Sequence, residues 1–382
     1  MPRDAAVPAL RCDFMKAALF SPCTYAGPTA PGGWPTPATV YSSEISERVF
    51  ATALEHSRLA DETGFDWVTL AEHHFGPFCI TPNPMILAGA LTQAVKRAKI
   101  ALLGADIPIL NPVRVAEEFA MLDTLSGGRL VAGMLRGTPN EYVTYNVNPR
   151  ESRARFEEAL QLIRLAWTEP EPFGWQGRFW QYKTISIWPR PLQKPHPPIY
   201  MSGSSPESGE FAAKQRVGLG FAVTTLPLAA EAARHYRAQA ALAGWTPRPD
   251  DILFRVPFHV AATDEQALED LEAAARASSR SFSLALSQGA EAAIAEAGYY
   301  GRDAAQRGRV AAAFSGGMRE RIEKGQMLLG SPETVIGQIR RIHEQTGAGV
   351  LDLIPGLSGP PALASIERFA TRVLPAIREL GA

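Results

Sequence analysis

Phe65-Asp66-Trp67-Val68-Thr69-Leu70-Ala71-Glu72-His73-His74-Phe75 is the stretch that decides the fold. Its first six residues follow Gly64 and are mostly aromatic or β-branched, which is typical of a buried β-strand. A carboxylate and two imidazoles then follow in direct succession. In α/β folds, ligands bind and chemistry occurs at the carboxyl ends of parallel strands. The cluster therefore favours a functional site over a helix cap with two partly buried histidines.

Strand-like and helix-like segments alternate along the chain around this stretch. Eight βα units are the number in a (β/α)8 TIM barrel, so we predict an α/β fold of that class. An open doubly wound sheet is the alternative, but Ser21-Pro22-Cys23 follows the first strand where a glycine-rich phosphate loop would be needed. The predicted strands cover residues 14–20, 65–70, 99–103, 129–134, 198–202, 220–224, 252–260 and 350–354. The clearest predicted helices cover 44–63, 84–95, 113–125, 152–167, 228–243 and 362–380.

The 382 residues exceed the ~250 of a typical barrel, so insertions are required. Three segments are candidates. Residues 22–43 are rich in Pro, Gly and Thr, residues 169–197 carry several tryptophans and prolines, and residues 264–330 are rich in Ala and predicted to be mostly helical. No linker divides the chain. We therefore expect a single domain over 14–382, preceded by a short disordered extension at 1–13.

Composition excludes several classes of function. A net charge of -1 leaves no basic footprint for nucleic acid. No apolar run reaches membrane-spanning length, and no signal-peptide core follows the first residues. The three cysteines include no C-x-x-C pair, so neither a disulfide scaffold nor a thiolate zinc site is expected. We therefore expect a cytoplasmic protein with no membrane or nucleic-acid partner and no metal site.

Two further groups of residues suit an anion at the barrel mouth. Arg136 is the first charge after the fourth predicted strand, where it fits a phosphate or a structural salt bridge at the rim. Four serines and a glycine lie within residues 202–208, at the start of a helix, which fits a phosphate cup or an ordinary serine cap. Arg153 opens the next predicted helix and would suit a bound anion there, although a solvated helix-face arginine is the plainer interpretation.

Several motifs together resemble the bacterial luciferase-like flavin-dependent monooxygenases, and the resemblance extends over most of the chain from Phe14 onward. As a set they are specific for the superfamily but not for a substrate. The motifs are Leu70-Ala71-Glu72-His73-His74-Phe75, Thr81-Pro82-Asn83-Pro84, Asn111-Pro112-Val113-Arg114-Val115-Ala116-Glu117-Glu118, Leu122-Asp123-Thr124-Leu125-Ser126-Gly127-Gly128-Arg129, Leu135-Arg136-Gly137, Pro198-Ile199-Tyr200 and Gly330-Ser331-Pro332-Glu333-Thr334-Val335.

The resemblance implies a (β/α)8 barrel that binds reduced FMN, or in some branches the deazaflavin F420, at its C-terminal mouth. It assigns the flavin phosphate to Arg136 and Arg153 together with Ser204, Ser205 and Ser208. The Ala-rich segment before Gly330 falls where relatives carry a mobile lid.

The resemblance also assigns the catalytic side of the site. His73 takes the position of the catalytic histidine. Glu72 precedes it and would orient it or shift its pKa, or would instead be a structural anchor under the strand end. Gly104 lies where relatives carry a non-proline cis peptide beneath the flavin, so we expect one within residues 103–105. Leu135 replaces the reactive cysteine of luciferase, a departure that the family tolerates.

The implied function is that of a two-component, FMNH2-dependent monooxygenase that activates O2 as a C4a-peroxyflavin and oxygenates a small organic substrate. A separate NAD(P)H:flavin reductase would supply the reduced flavin, because the chain has no dinucleotide fingerprint of its own. A homodimer, or a dimer of dimers, is expected through the helices after the second and third strands. Candidate substrate-wall residues, which would otherwise be core, are Phe75, Phe78, Ile80, Ile107, Ile109, Trp175, Trp180 and Trp188.

Three other functions remain open at this stage. An F420-dependent oxidoreductase on the same barrel would transfer hydride without activating oxygen. A non-catalytic flavin-binding protein would hold the cofactor without turnover. A metal-dependent hydrolase using His73 and His74 is less favoured, because the sequence contains no H-x-H pair.

Overall fold

A closed barrel of eight parallel strands forms the centre of the protein and confirms the predicted fold class. The computed structural model describes residues 15–30, 34–222, 224–277 and 317–381. The barrel order is β1-β2-β3-β4-β7-β8-β9-β11, and β11 pairs back onto β1. The strands of the described residues are β1 (Lys16–Phe20), β2 (Trp67–Leu70), β3 (Lys99–Asp106), β4 (Leu130–Leu135), β5 (Phe173–Gln176), β6 (Gln181–Ile185), β7 (Ile199–Ser202), β8 (Gly218–Phe221), β9 (Ile252–Val260), β10 (Leu328–Gly330) and β11 (Val350–Pro355).

Helices pack around the barrel and begin where the sequence offers capping residues. Asn83 and Asn111 each precede a proline and accept backbone N–H bonds at the first turn of a helix. The helices of the described residues are α1 (Ser43–Thr63), α2 (Pro84–Ala94), α3 (Pro112–Leu125), α4 (Pro139–Thr144), α5 (Ser152–Thr168), α6 (Pro206–Gln215), α7 (Leu226–Leu242), α8 (Asp264–Ala277), α9 (Met318–Glu323), α10 (Pro332–Thr346), α11 (Pro360–Arg368) and α12 (Leu374–Arg378).

Two of the predicted insertions contain strands that the sequence pattern did not indicate. Residues 169–197 include the antiparallel hairpin β5–β6, and the end of the 264–330 segment includes β10, which pairs in parallel with β9 outside the barrel. Residues 278–316, which include most of the expected lid, and the expected extension at 1–13 lie outside the described residues.

The predicted closing helix at 362–380 is wrong in one respect, because it is not continuous. A π-helical turn at Phe369–Val373 separates α11 from α12. Pro375 lies in the first turn of α12. Its nitrogen carries no hydrogen and its ring crowds the preceding turn, so the regular hydrogen-bond pattern is interrupted there.

A glycine-lined bulge fixes the ends of β3 and β4. The register between these strands shifts between Leu103 and Ala105. A Cβ on Gly104 would lie 2.5 Å from Cδ1 of Leu135, and one on Gly133 would lie 2.1 Å from the carbonyl oxygen of Leu102. The two strands therefore approach so closely that neither position accommodates a side chain. The bulge sets the direction in which the chain leaves β3 and β4 at the barrel mouth.

The expected non-proline cis peptide within residues 103–105 is wrong. Among the described residues, cis peptide bonds occur only before Pro35, Pro189 and Pro195. The bulge at Gly104 is the feature that distorts the strand at this point instead.

We expect Gly133→Ala to destabilise the protein by about 1–3 kcal/mol, because the new methyl group must displace backbone atoms of β3. Gly337→Ala is the matched control. Gly337 is exposed on α10 with no atom within 4 Å of its Cβ position, so alanine there should stabilise the protein by about 0.5–1 kcal/mol. Urea unfolding of both variants tests the pair. Equal effects of the two substitutions would show that the β3–β4 contact is not the constraint described here.

Candidate active site

Glu72 and His74 leave β2 on the same side and form a buried pair. His74 Nε2 lies 3.0 Å from Glu72 Oε1, and Glu72 Oε2 accepts the backbone N–H of Asp106 at 3.1 Å. Glu72 therefore contacts His74 rather than His73, which favours the expected structural anchor under the strand end over direct orientation of His73. In extended chain, side chains at i and i+2 share a face while i and i+1 do not, so Glu72 reaches His74. This pair ties the end of β2 to the end of β3.

His73 points the other way and pairs with Glu141 of α4. Its Nδ1 lies 3.1 Å from Glu141 Oε1, and the His73 side chain is 24% exposed while that of Glu141 is 2% exposed. The loop that carries His73 is held by Thr81, whose hydroxyl donates to the carbonyl of Ala71 at 2.6 Å. His73 is thus a fixed imidazole that still reaches the open mouth.

Glu141 is positioned by a capping box that the sequence contains. Thr138 and Glu141 have the T-x-x-E spacing of a helix start, and the backbone N–H of Thr138 donates to Glu141 Oε2 at 2.8 Å. Although burial alone would raise the pKa of Glu141, hydrogen bonding to His73 and Thr138 and the charge of His73 hold that pKa below its usual range. Glu141 is therefore ionised at neutral pH and accepts from the imidazole.

Asp106, at the end of β3, completes a group of three buried carboxyls with Glu72 and Glu141. Burial and the negative charges of Glu72 and Glu141 raise the pKa of Asp106 well above its usual range. The nearby Gly137 has φ +81°, and a Cβ there would approach the Asp106 carboxyl to 3.1 Å. The geometry thus places a carboxyl group that holds its proton to higher pH than usual beside two other buried carboxyl groups.

The expected phosphate cup assembles at the ends of β4 and β7. Ser205 caps α6, where its hydroxyl accepts the backbone N–H of Ser208 at 3.2 Å and lies 3.1 Å from the Ser208 hydroxyl. Glu207, in the first turn of α6, has its pKa lowered by its own backbone N–H, by Ser205 and by the charges of Arg153 and Arg136. Both guanidinium groups are therefore near enough to lower the pKa of Glu207, and phosphate binding by this loop stays a prediction.

The remaining predicted residues fall into different environments. Ser204 is exposed beside the cup, and Gly104 lies in the bulge beneath Leu135. Phe75 and Ile80 line an apolar groove of about 440 Å³ together with Tyr25 and Tyr41. The ring of Phe78 lies 5.1 Å from that of His73, Ile107 is fully buried and Ile109 is half-buried.

The three tryptophans do not line this groove. Trp175 and Trp180 pack against the core, and Trp175 Nε1 donates to Glu158 of α5 at 3.2 Å. Trp188 is 85% exposed. The structure thus favours a packing role for the first two over a substrate wall, because the β5–β6 hairpin lies against α5.

Sequence reasoning missed Asp106, Glu141 and Tyr145. Asp106 ends a strand that was predicted to stop at Leu103, and the capping box of Glu141 went unused. The ring of Tyr145 meets that of His74 edge-on at 5.0 Å, and burial together with Glu72 and Asp106 raises the pKa of Tyr145. Among the described residues, no group of three or more His, Cys, Asp or Glu side chains could hold a metal ion.

The fold and the site define a (β/α)8 barrel protein with a histidine–carboxylate cluster and a serine-rich loop at the carboxyl ends of its strands. The chain belongs to the luciferase-like monooxygenase family, whose model matches residues 27–349.

No helix in the part of the chain that the structure describes combines the length and apolar character needed to cross a bilayer.

Named relatives include two monooxygenases. The oxygenase component of a flavin-dependent trigonelline monooxygenase from Acinetobacter baylyi is 28% identical over 235 residues, covering 60% of this chain and 64% of that protein. An alkanal monooxygenase alpha chain from Photorhabdus luminescens is 32% identical over 158 residues, covering 41% of this chain and 43% of the relative. The chain thus matches less than two thirds of the length of either relative.

Solved structures share the fold at lower identity. Monooxygenase RslO1 from Streptomyces bottropensis superimposes with a TM-score of 0.75 at 24% identity, over 94% of this chain and 99% of that one. The oxygenating constituent of 3,6-diketocamphane monooxygenase from Pseudomonas putida, in complex with FMN, gives 0.73 at 19% identity, over 95% and 98%. An F420-dependent secondary alcohol dehydrogenase gives 0.70 at 19% identity, over 95% and 99%.

Asp106→Asn should become relatively more stable than the wild-type protein as pH rises. The folded protein retains the Asp106 proton to higher pH than the unfolded chain, whose ordinary value is near 3.9. Stability is therefore lost as pH rises from that value through the folded-state pKa, and asparagine does not titrate. Urea unfolding from pH 4 to pH 8 measures the difference. The exposed Glu231→Gln on α7 is the control, and a difference for Asp106→Asn that does not change with pH would contradict a buried neutral acid.

Proposed function

We propose that the protein is the oxygenase component of a two-component system that uses reduced FMN and O2 to oxygenate a small organic substrate. The observation that carries the proposal is the presence of both halves of such a site at one barrel mouth. The Arg136–Arg153–serine cup suits a phosphate, and the His73–Glu141 pair suits proton transfer. Family membership and the named flavin-dependent relatives support the same function.

The cup fits the phosphate of FMN by its chemistry. Two guanidinium groups, two hydroxyls and the positive end of α6 provide donors for a dianion, and Glu207 shows that both charges reach the loop. Gly203 is needed because a Cβ there would lie 2.6 Å from the Ser208 hydroxyl oxygen. Arg136, Arg153, Ser205 and Ser208 would hold the phosphate.

His73 can accept a proton at its Nε2 atom. When the imidazole is neutral, the ionised Glu141 accepts the hydrogen on Nδ1, which leaves Nε2 with a free lone pair. Nε2 can then act as a general base or hydrogen-bond acceptor toward a reacting group. Reduced FMN, when bound, supplies two electrons and the C4a atom at which O2 is activated. His74 and Glu72 hold the strand ends on which this arrangement rests.

The alternative is an F420-dependent hydride transfer on the same barrel. The structural likeness to an F420-dependent secondary alcohol dehydrogenase is the observation that favours this alternative. A second possibility is a non-catalytic flavin-binding protein. The paired guanidinium groups favour the terminal phosphate monoester of FMN, because a monoester carries more charge than the phosphodiester of F420. Comparative titration with reduced FMN and reduced F420 distinguishes the FMN-dependent oxygenase from the F420-dependent enzyme. Turnover with O2 distinguishes the oxygenase from a non-catalytic flavin-binding protein.

The proposed reaction requires one protein partner, and the cysteines suit one compartment. A separate NAD(P)H:flavin reductase would deliver reduced FMN, as the description of one relative as an oxygenase component suggests. Cys23 and Cys79 are buried free thiols, which suits a reducing cytoplasm.

Arg153→Ala and His73→Ala should affect different steps. Arg153→Ala, like Arg136→Ala, is expected to weaken binding of reduced FMN by about 1.5–3 kcal/mol and to leave single-turnover chemistry nearly unchanged at saturation. His73→Ala should bind flavin normally and lose about 10²–10⁴-fold in oxygenation rate, with hydrogen peroxide released instead. Anaerobic titration followed by rapid mixing with oxygenated buffer measures both effects.

Arg150→Ala is the charge-matched control for the cup, because Arg150 is exposed three residues before Arg153. Glu141→Gln should lower kcat without changing flavin affinity, and Glu141→Asp should recover part of the loss. If His73→Ala stayed fully coupled to product, or Arg153→Ala bound FMN as tightly as Arg150→Ala, the two roles would have to be abandoned.

We further propose that the protein forms a homodimer, or a dimer of dimers, through α2 and α3. These helices expose Ile86, Met121 and Leu125, whose apolar side chains would be buried by pairing. Light scattering at micromolar concentration should then show at least twice the 41.3 kDa chain mass. Arg substitution at Ile86 should shift the protein toward the monomer, whereas a monomeric wild-type protein would rule the assembly out.

A further inference from the structure

A second polar cavity, which we call the floor cavity, lies at the end of the barrel opposite the mouth. It has a volume of about 230 Å³ and is lined by residues at the amino ends of six strands. Lys16 begins β1 and Lys99 begins β3, while Arg216 precedes β8 and Arg248 precedes β9. The rings of Trp67 and Tyr200, 5.5 Å apart, separate the cavity from the barrel interior.

The charges around the floor cavity do not balance. Four Lys and Arg side chains face two carboxylates, and His196 also lines the cavity. Asp250 forms an ion pair with Lys16 through Oδ2, while its Oδ1 is buried with no hydrogen-bond partner among the described residues. Asp251 Oδ2 lies 3.7 Å from Arg248 Nε. Lys99 and Arg216 have no carboxylate partner among the described residues. The cavity therefore carries an excess of about two positive charges.

Ordinary helix capping explains other basic residues at this end of the barrel but not Lys99. Arg164 donates to the carbonyl of Gln215 at 3.0 Å and Arg237 to that of Thr346 at 2.6 Å, each at or near a helix C-terminus. Arg216 makes a longer bond of 3.4 Å to Ala243. The Lys99 ammonium has no hydrogen-bond partner within the ranges that the structure describes.

The environment of Lys99 is unfavourable for its charge. Burial lowers the pKa of Lys99, and the positive charges of Lys16 and Arg248 lower it further against the opposing effect of Asp250. A half-buried ammonium that faces other cations gains when an anion enters, because the anion supplies the missing hydrogen bonds and the opposite charge.

We infer that the floor cavity is a second anion site that binds a phosphate group, distinct from the cup at the mouth. A tetrahedral phosphate has enough oxygens to accept from cations that converge from several strands, whereas a carboxylate has two. The volume is several times the ~30 Å³ of a liquid water molecule, so the cavity admits phosphate with a small organic substituent. Lys16 and Phe20 lie at opposite ends of β1, so this site and the mouth do not share residues.

Phosphate binds the cup as well, so the test removes each site in turn. Calorimetric titration with sodium phosphate at constant ionic strength is made on the wild-type protein, Arg153→Ala, Lys99→Met and the double variant. We expect two sites in the wild-type protein and one in each single variant. In the double variant, binding should be about 10- to 100-fold weaker than in Arg153→Ala. FMN affinity should be unchanged in Lys99→Met, and its melting temperature without phosphate shows that it is folded.

Lys96→Met is the matched control, because Lys96 is exposed three residues before Lys99 and does not line the cavity. It should retain both sites. Displacement by glycerol 3-phosphate would identify a phosphomonoester as the ligand, and failure to displace would identify inorganic phosphate. Absence of saturable binding in Arg153→Ala, or equal binding in Arg153→Ala and the double variant, would overturn the inference.

Discussion

Three carboxyl groups in one dry region constrain the barrel mouth more than any other feature. Glu72, Asp106 and Glu141 are each at most 3% exposed, and the strand ends bring them together. Such crowding is tolerated only when each charge is paired or neutralised. Glu72 is paired with His74 and with a backbone N–H, Glu141 with His73 and Thr138, and Asp106 retains its proton.

The pairing of these carboxyl groups with histidines also leaves one histidine, His73, available at the barrel mouth. The two imidazoles are adjacent in sequence but face opposite ways, so they take different carboxylates. His74 is buried and locks β2 to β3, whereas His73 keeps part of its surface at the mouth. The same electrostatic requirement therefore stabilises the strand ends and holds the His73 imidazole against Glu141. The residues of the proposed cup lie after β4, on α5 and at the start of α6, and the segment after β4 carries both Arg136 and Glu141.

Much of this arrangement could be predicted from the sequence because it depends on local patterns. All eight barrel strands were predicted, since each is a short apolar run, and Arg136 and the serines were found at strand exits. The contact between His73 and Glu141 was missed because it joins residues 68 positions apart, and no local pattern encodes such a pair. The sequence left open whether Glu72 orients His73 or anchors the strand end, because which face each side chain takes depends on the backbone at the strand exit. The β5–β6 hairpin and the π-helical turn at Phe369–Val373 depend on packing and on Pro375, which periodicity alone does not reveal.

The barrel interior explains why unbalanced charge appears only at the two ends. Arg255 projects inward from β9, where its Nε donates to Asp352 at 2.5 Å and its guanidinium lies 4.0 Å from the Phe20 ring centroid. The fully buried Asp352 also accepts from Thr69 at 2.7 Å. This internal ion pair is neutral as a unit and links β9, β11 and β2. Because the middle of the barrel is compensated within itself, the carboxyls of the mouth and the cations of the floor cavity do not offset each other. Each end must therefore be balanced locally, by protonation and histidine pairing at the mouth and by an entering anion at the floor.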